Sequence, residues 1–92
     1  MTPAEKKLLL EVVSVVADGR KGKYYSNLEV SRNDGNTSVA LWIHRTPDYE
    51  VVASGHVNRN SDKIEMFTMW LDFLNRKRWT FDKKTLAATG LE

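Results

Sequence analysis

Few side chains in this chain are equipped for chemistry, and they are scattered. His44 and His56 are its only histidines and there is no cysteine. A zinc site needs three or four such ligands in one tight array. Both alternate onto the outer face of the sheet, but strand pairing sets them far apart along the strands, so they form no ligand pair and no metal and no cofactor is expected. Asp62, Glu65 and Asp72 fall on one strip of a helix, the usual place for solvated carboxylates; a general acid or base needs a pocket and a shifted pKa. Gly19 and Gly22 flank basic residues without a phosphate-loop pattern, and a helix stop and a turn explain them. No catalytic constellation emerges, and the chain is read as a non-enzyme.

The chemistry that remains is binding. Cationic residues fall in three groups, Arg20/Lys21/Lys23, Arg76/Lys77/Arg78 and Lys83/Lys84. They are either solubilising segments or, if they converge, a phosphate-binding strip. The formal charge of +2, from 14 Lys and Arg against 12 Asp and Glu, does not by itself mark a nucleic-acid binder. A second resource is the stretch from Ser61 to Arg76. As a helix it gathers Glu65, Thr68, Asp72, Asn75 and Arg76 into a polar strip and spreads apolar residues over about 220°, against the ~100° a surface helix normally needs. Ile64, Phe67, Trp70, Leu71 and Leu74 make one continuous core face. Met66, Met69 and Phe73 make a second stripe, and methionine suits adaptable binding surfaces. That stripe either packs under the first helix or meets a partner, be it another protein or a second copy in a homodimer.

The elements that position these residues follow from local signals. Thr2-Pro3-Ala4-Glu5 is a helix start with a capping box, and Leu8, Leu9, Val12, Val13 and Val16 recur at helical spacing. A helix over about 3–18 follows. Tyr24, Leu28 and Val30 alternate with polar neighbours as a first strand. Asp34-Gly35 suits a two-residue type I′ hairpin, and a second strand follows over about 37–45, with Val39, Leu41 and Ile43 inward. A third, about 49–57, places Tyr49, Val51, Ala53 and Val57 inward after a turn at Thr46-Pro47-Asp48. The segment 76–90, carrying Trp79, Phe81 and Leu86, either folds back or adds a short strand.

The order predicts one α+β domain, helix–three-stranded antiparallel sheet–helix, with both helices on one face and the other open to water. The domain is assigned to residues 1–90, with Leu91-Glu92 a candidate vector-derived tail. The hairpin loops set Asn27 opposite Trp42, Tyr25 opposite His44, Trp42 opposite Val52 and His44 opposite Glu50. Trp42 then stands in mid-sheet on the open side with Tyr25, His44 and Val52 around it, an anchor for a partner, unless the Trp79–Phe81 segment covers that face. The N-terminal sequence is no secretory leader, no apolar run approaches a membrane span, and the lack of cysteine fits a reducing cytoplasm.

Two resemblances accompany these features. The element order is similar to the double-stranded-RNA-binding domain. That family grips phosphates with a lysine cluster at the start of its second helix, where this chain has the nearly neutral Ser61-Asp62-Lys63-Ile64-Glu65. The pattern Phe67, Met69, Asp72, Phe73, Leu74, Asn75, behind a strand with Leu41 and Ile43, resembles small phage proteins that bind and disable host enzymes, the dGTPase inhibitors of short-tailed coliphages among them. The expected function is a small protein-binding module, a phage or mobile-element inhibitor or modulator of a host enzyme or assembly. It would act through Met66, Met69 and Phe73, or through the Trp42 face. The alternative is an RNA- or DNA-binding module using the basic groups.

Overall fold

A computed structural model describes all residues, 1–92. Helix α1 spans Pro3–Ala17. The capping box forms as expected: Glu5 N–H donates to Thr2 Oγ1 (3.2 Å) and Thr2 N–H donates to Glu5 Oε1 (2.7 Å). Strands β1 (Tyr24–Asn33), β2 (Asn36–Arg45) and β3 (Glu50–Val57) form an antiparallel meander in the order β1-β2-β3. Helix α2 spans Lys63–Leu74, capped by Asp62, and a short α3 spans Lys83–Ala88, capped by Asp82. The chain is therefore an α+β domain of helix, three strands and helices.

The two hairpins differ in how much of their geometry is local. At the first, Asp34 (φ 50°) and Gly35 (φ 77°) supply the two positive φ values, and the register sets Tyr25 opposite His44 and Asn27 opposite Trp42. At the second, Tyr49 takes φ 59° and joins the loop, so Arg45 pairs with Glu50. A β-bulge beside Ile43/His44 adds another residue to β3. Trp42 consequently faces Ser54 and His44 faces Val51, in place of the expected Val52 and Glu50. Each shift moves the register by one, so together they restore the parity. Ala53 and Val57 keep the inner face, whereas Tyr49 (64% exposed) and Val51 (49%), both expected inside, face solvent.

The core lies between the inner sheet face and the helices. Leu9 and Val12 of α1, Phe67, Trp70, Phe73 and Leu74 of α2, and Val39, Leu41, Ile43, Ala53 and Val57 of the sheet are buried. Lys63 lies near Glu5, and Val15 shares a depression with Leu74, so α1 and α2 run in parallel. Gly55 is the floor on which Trp70 sits. A Cβ there would stand 2.9 Å from Trp70 Cζ2 and Nε1 and 3.0 Å from Leu91 Cδ2, closer than packed atoms tolerate.

The segment after α2 folds back onto the helical side. Trp79 is buried and stacks on Phe73 (centroids 5.4 Å apart), and Phe81 packs on Tyr24 (4.7 Å) and Phe73 (5.9 Å). After α3, Thr89 is buried and its hydroxyl reaches the carbonyls of Thr85 and Leu86. Leu91, placed outside the domain by the sequence reading, is 2% exposed and belongs to the core. Glu92 and Ser54 exchange two backbone hydrogen bonds (2.8 and 2.9 Å), extending the sheet by a single residue at the free edge of β3.

Candidate functional site

Of the two surfaces read as partner sites, the helix stripe is occupied from within. Phe73 is fully buried, which corrects its assignment to a binding surface: Trp79 and Phe81 pack on it. Met66 and Met69 are half-buried. A Cβ on Gly90 would lie 3.0 Å from Met66 Cε and 3.2 Å from Met69 Cε, so the methionines lie under the C-terminal segment. The wide apolar arc of α2 is thus satisfied from several sides: sheet, α1 and the returning chain. Ile64, expected in the core, is instead 41% exposed. It stands one turn before Phe67 and Thr68, at the α2 end farthest from the aromatic cluster that the returning chain brings in.

The outer face of the sheet stays open. Trp42 is partly buried, in the centre of β2, with His56 edge-on to its indole (6.1 Å, 84°). Toward the β2–β3 turn, Tyr25 and His44 stack (4.9 Å, 12°), and Tyr49 meets Tyr25 edge-on (6.1 Å, 72°). His44 Nδ1 lies 3.2 Å from the Tyr49 carbonyl oxygen. A carbonyl only accepts, so the bond requires the proton on Nδ1 and leaves Nε2 free as an acceptor or second donor. The returning chain does not cover this face, because Trp79 and Phe81 pack on the helical side. Val52, expected beside Trp42, instead packs against the core, since the bulge displaces it. Tyr49 and His56 complete the aromatic face. His56 was legible from alternation, whereas Tyr49 reaches it only through a positive φ that no local signal announces.

The outward positions of the three strands carry one charged side chain, Glu29, and no lysine or arginine. The residues are Tyr25, Asn27, Glu29 and Ser31 on β1, Ser38, Ala40, Trp42 and His44 on β2, and Val51, Ser54 and His56 on β3. A shallow depression beside Trp42 is lined by Glu29, Ser31, Ser38, Ala40 and His56. No three His, Asp or Glu side chains converge anywhere to hold a metal ion. The carboxyls held below their ordinary range are helix caps: Glu5, chiefly through the Thr2 backbone N–H, and Asp82, chiefly through that of Thr85.

The basic residues divide. Arg20, Lys21, Lys23, Lys77 and Arg78 line two depressions that share Lys21 and Trp79. Arg76 is instead ion-paired with Asp72 (2.8 Å) across one helical turn. Lys83 and Lys84 line neither depression; Lys83 borders a separate one with Leu86, Gly90 and Leu91.

No protein-family model, no curated protein and no solved structure matches this chain. Of Phe67, Met69, Asp72, Phe73, Leu74 and Asn75 on and just after α2, Phe67, Phe73 and Leu74 are buried and serve the core of this fold. No helix is long and apolar enough to cross a membrane.

Proposed function

We propose that the chain is a small non-enzymatic protein-binding module whose recognition surface is the outer face of the sheet, centred on Trp42. In this reading it is a modulator of another enzyme or assembly, the role that the phage-inhibitor resemblance implies. The observation that carries it is the position of Trp42: mid-sheet, flanked by Tyr25, His44 and His56, with no element of the chain laid over it. Tryptophan and tyrosine concentrate binding energy at interface centres because they bury a large area at little entropic cost. With Glu29 the one charge among the outward strand positions, the face suits a neutral or basic protein segment that lays an apolar or guanidinium side chain on the indole.

The test compares the wild-type chain with Trp42→Ala and with Ile64→Ser, which removes an exposed apolar side chain on α2. All three are used as bait in the source cell, or in its host if the source is a phage. Trp42→Ala should lose the captured partner, at a cost to folding of about 1–2 kcal/mol and to binding of about 2 kcal/mol or more. Ile64→Ser should retain it, and capture should persist at about 0.5 M salt because an apolar contact is not screened. Sedimentation of the free protein separates a second copy from a different partner. Equal capture by wild type and Trp42→Ala would remove the sheet face as the site.

A further inference from the structure

The basic end of the molecule carries a second site. We infer that the groove formed by Arg20, Lys21, Lys23, Lys77 and Arg78 around Trp79 binds the phosphate backbone of a nucleic acid. These residues come from two linkers more than fifty positions apart, the α1–β1 connection and the segment between α2 and α3, and both arms are pinned. On the first, Lys21 and Tyr24 exchange backbone hydrogen bonds (2.9 and 3.0 Å). Arg20 donates to the Gly22 carbonyl (3.1 Å) and to Thr46 Oγ1 (3.0 Å), and Thr46 donates its backbone N–H to the Lys23 carbonyl (2.8 Å). On the second, Lys77 and Arg78 are held between the α2 C-cap at Asn75 and the buried Trp79.

No carboxylate pairs with the charge in this groove, although Lys23 Nζ also lies 5.7 Å over the Tyr24 ring. The ion pairs of the protein involve Arg45 with Asp48 and Glu50, and Arg76 with Asp72; none involves the five groove cations, and Arg20 bonds only to neutral oxygens. Asp18 is the single carboxylate along the lining. Neither α1 nor α2 has a basic residue in its last turn; the cations follow the caps, where they also complement the negative ends of both helix dipoles. Trp79, shared by both depressions, also has an indole N–H without an acceptor in the protein.

The geometry separates nucleic acid from other phosphate carriers. The cations are strung along a groove and stay solvent-accessible, whereas a dedicated small-anion site would bury and focus them. None of the exposed large apolar side chains (Met1, Leu10, Val13, Val30, Tyr49, Val51, Ile64) lines the groove, so it lacks the apolar anchor of a membrane-binding surface. The groove sits at the C-terminal end of α2. The double-stranded-RNA-binding lysines would belong at the opposite end, near Asp62 and Glu65, so the placement is this chain's own.

Fluorescence anisotropy with a labelled single-stranded oligonucleotide and a labelled RNA duplex tests this. Five phosphate contacts give a slope of log K against log salt of about −4. The combined change Lys21→Gln, Lys23→Gln, Lys77→Gln and Arg78→Gln should bring the slope to about −1. Lys83→Gln with Lys84→Gln serves as the control for diffuse charge and should leave it near −4, and Trp42→Ala should bind as wild type. Three results would overturn the inference: no binding at low salt, equal losses in the groove and control variants, or tighter binding to phosphatidylserine vesicles than to either oligonucleotide. Displacement of both probes by low millimolar inorganic phosphate would make it a small-anion site and refute it as well.

Discussion

Replacing Leu91 with alanine probes the least expected part of the core. Its side chain is 2% exposed and stands against Gly55 and Trp70. Removing three carbons forfeits about 2.5 kcal/mol of transfer free energy at ~0.8 kcal/mol per buried methylene. The cavity left behind adds to this, within the ~2–5 kcal/mol known for buried leucines. A domain of this length is stable by about 5–12 kcal/mol, so Leu91→Ala removes a large fraction and should lower the melting temperature by about 10–20 °C. The loss should release the turn at Gly90 as well, exposing Met66 and Met69 to a hydrophobic dye. Circular-dichroism melts and dye fluorescence, run beside Met69→Glu, follow both effects. Met69→Glu should also destabilise by several kcal/mol, since it forces a carboxylate beneath Gly90. A shift below about 1 kcal/mol for both variants would refute the docking of the C-terminal segment and return the methionine stripe to the surface as a partner site.

Two further outcomes follow. Gly55→Ala places a methyl group 2.9 Å from a fully buried indole, and overpacking of this kind should destabilise the domain by about 1–3 kcal/mol, lowering the denaturation midpoint with the m-value unchanged; an unaffected midpoint would mean that Trp70 is free to move. Glu5 and Asp82 have folded pKa values below their unfolded ones, so their contribution is complete above about pH 4.5 and is lost as pH falls through the folded values; the stability gap between wild type and Glu5→Gln/Asp82→Asn should therefore close on acidification, and a gap that widened would reverse the assigned sign.

The sequence by itself determined the features that rest on neighbours along the chain. The capping box at Thr2 and Glu5 and the spacing of Leu9 and Val12 set α1, and Asp34-Gly35 fixed the first hairpin register to the residue. Since a strand alternates strictly, that register was enough to put Trp42, Tyr25 and His44 together on the open face. The oversupply of apolar surface on α2 was equally legible, because helical periodicity is a property of the segment alone.

What covers that surface was decided only by the tertiary structure. Periodicity says how wide an apolar arc is, not which element meets it; here Trp79 and Phe81 bury Phe73, and the turn at Gly90 covers Met66 and Met69. The second hairpin differs likewise from its sequence reading, with a positive φ at Tyr49 and a bulge beside His44 that the Thr46-Pro47-Asp48 signature does not specify. The groove around Trp79 is the clearest case. Lys21 and Arg78 are remote in sequence, and they meet because α1 and α2 pack in parallel and bring both their C-terminal ends, with the linkers that follow, to one end of the sheet.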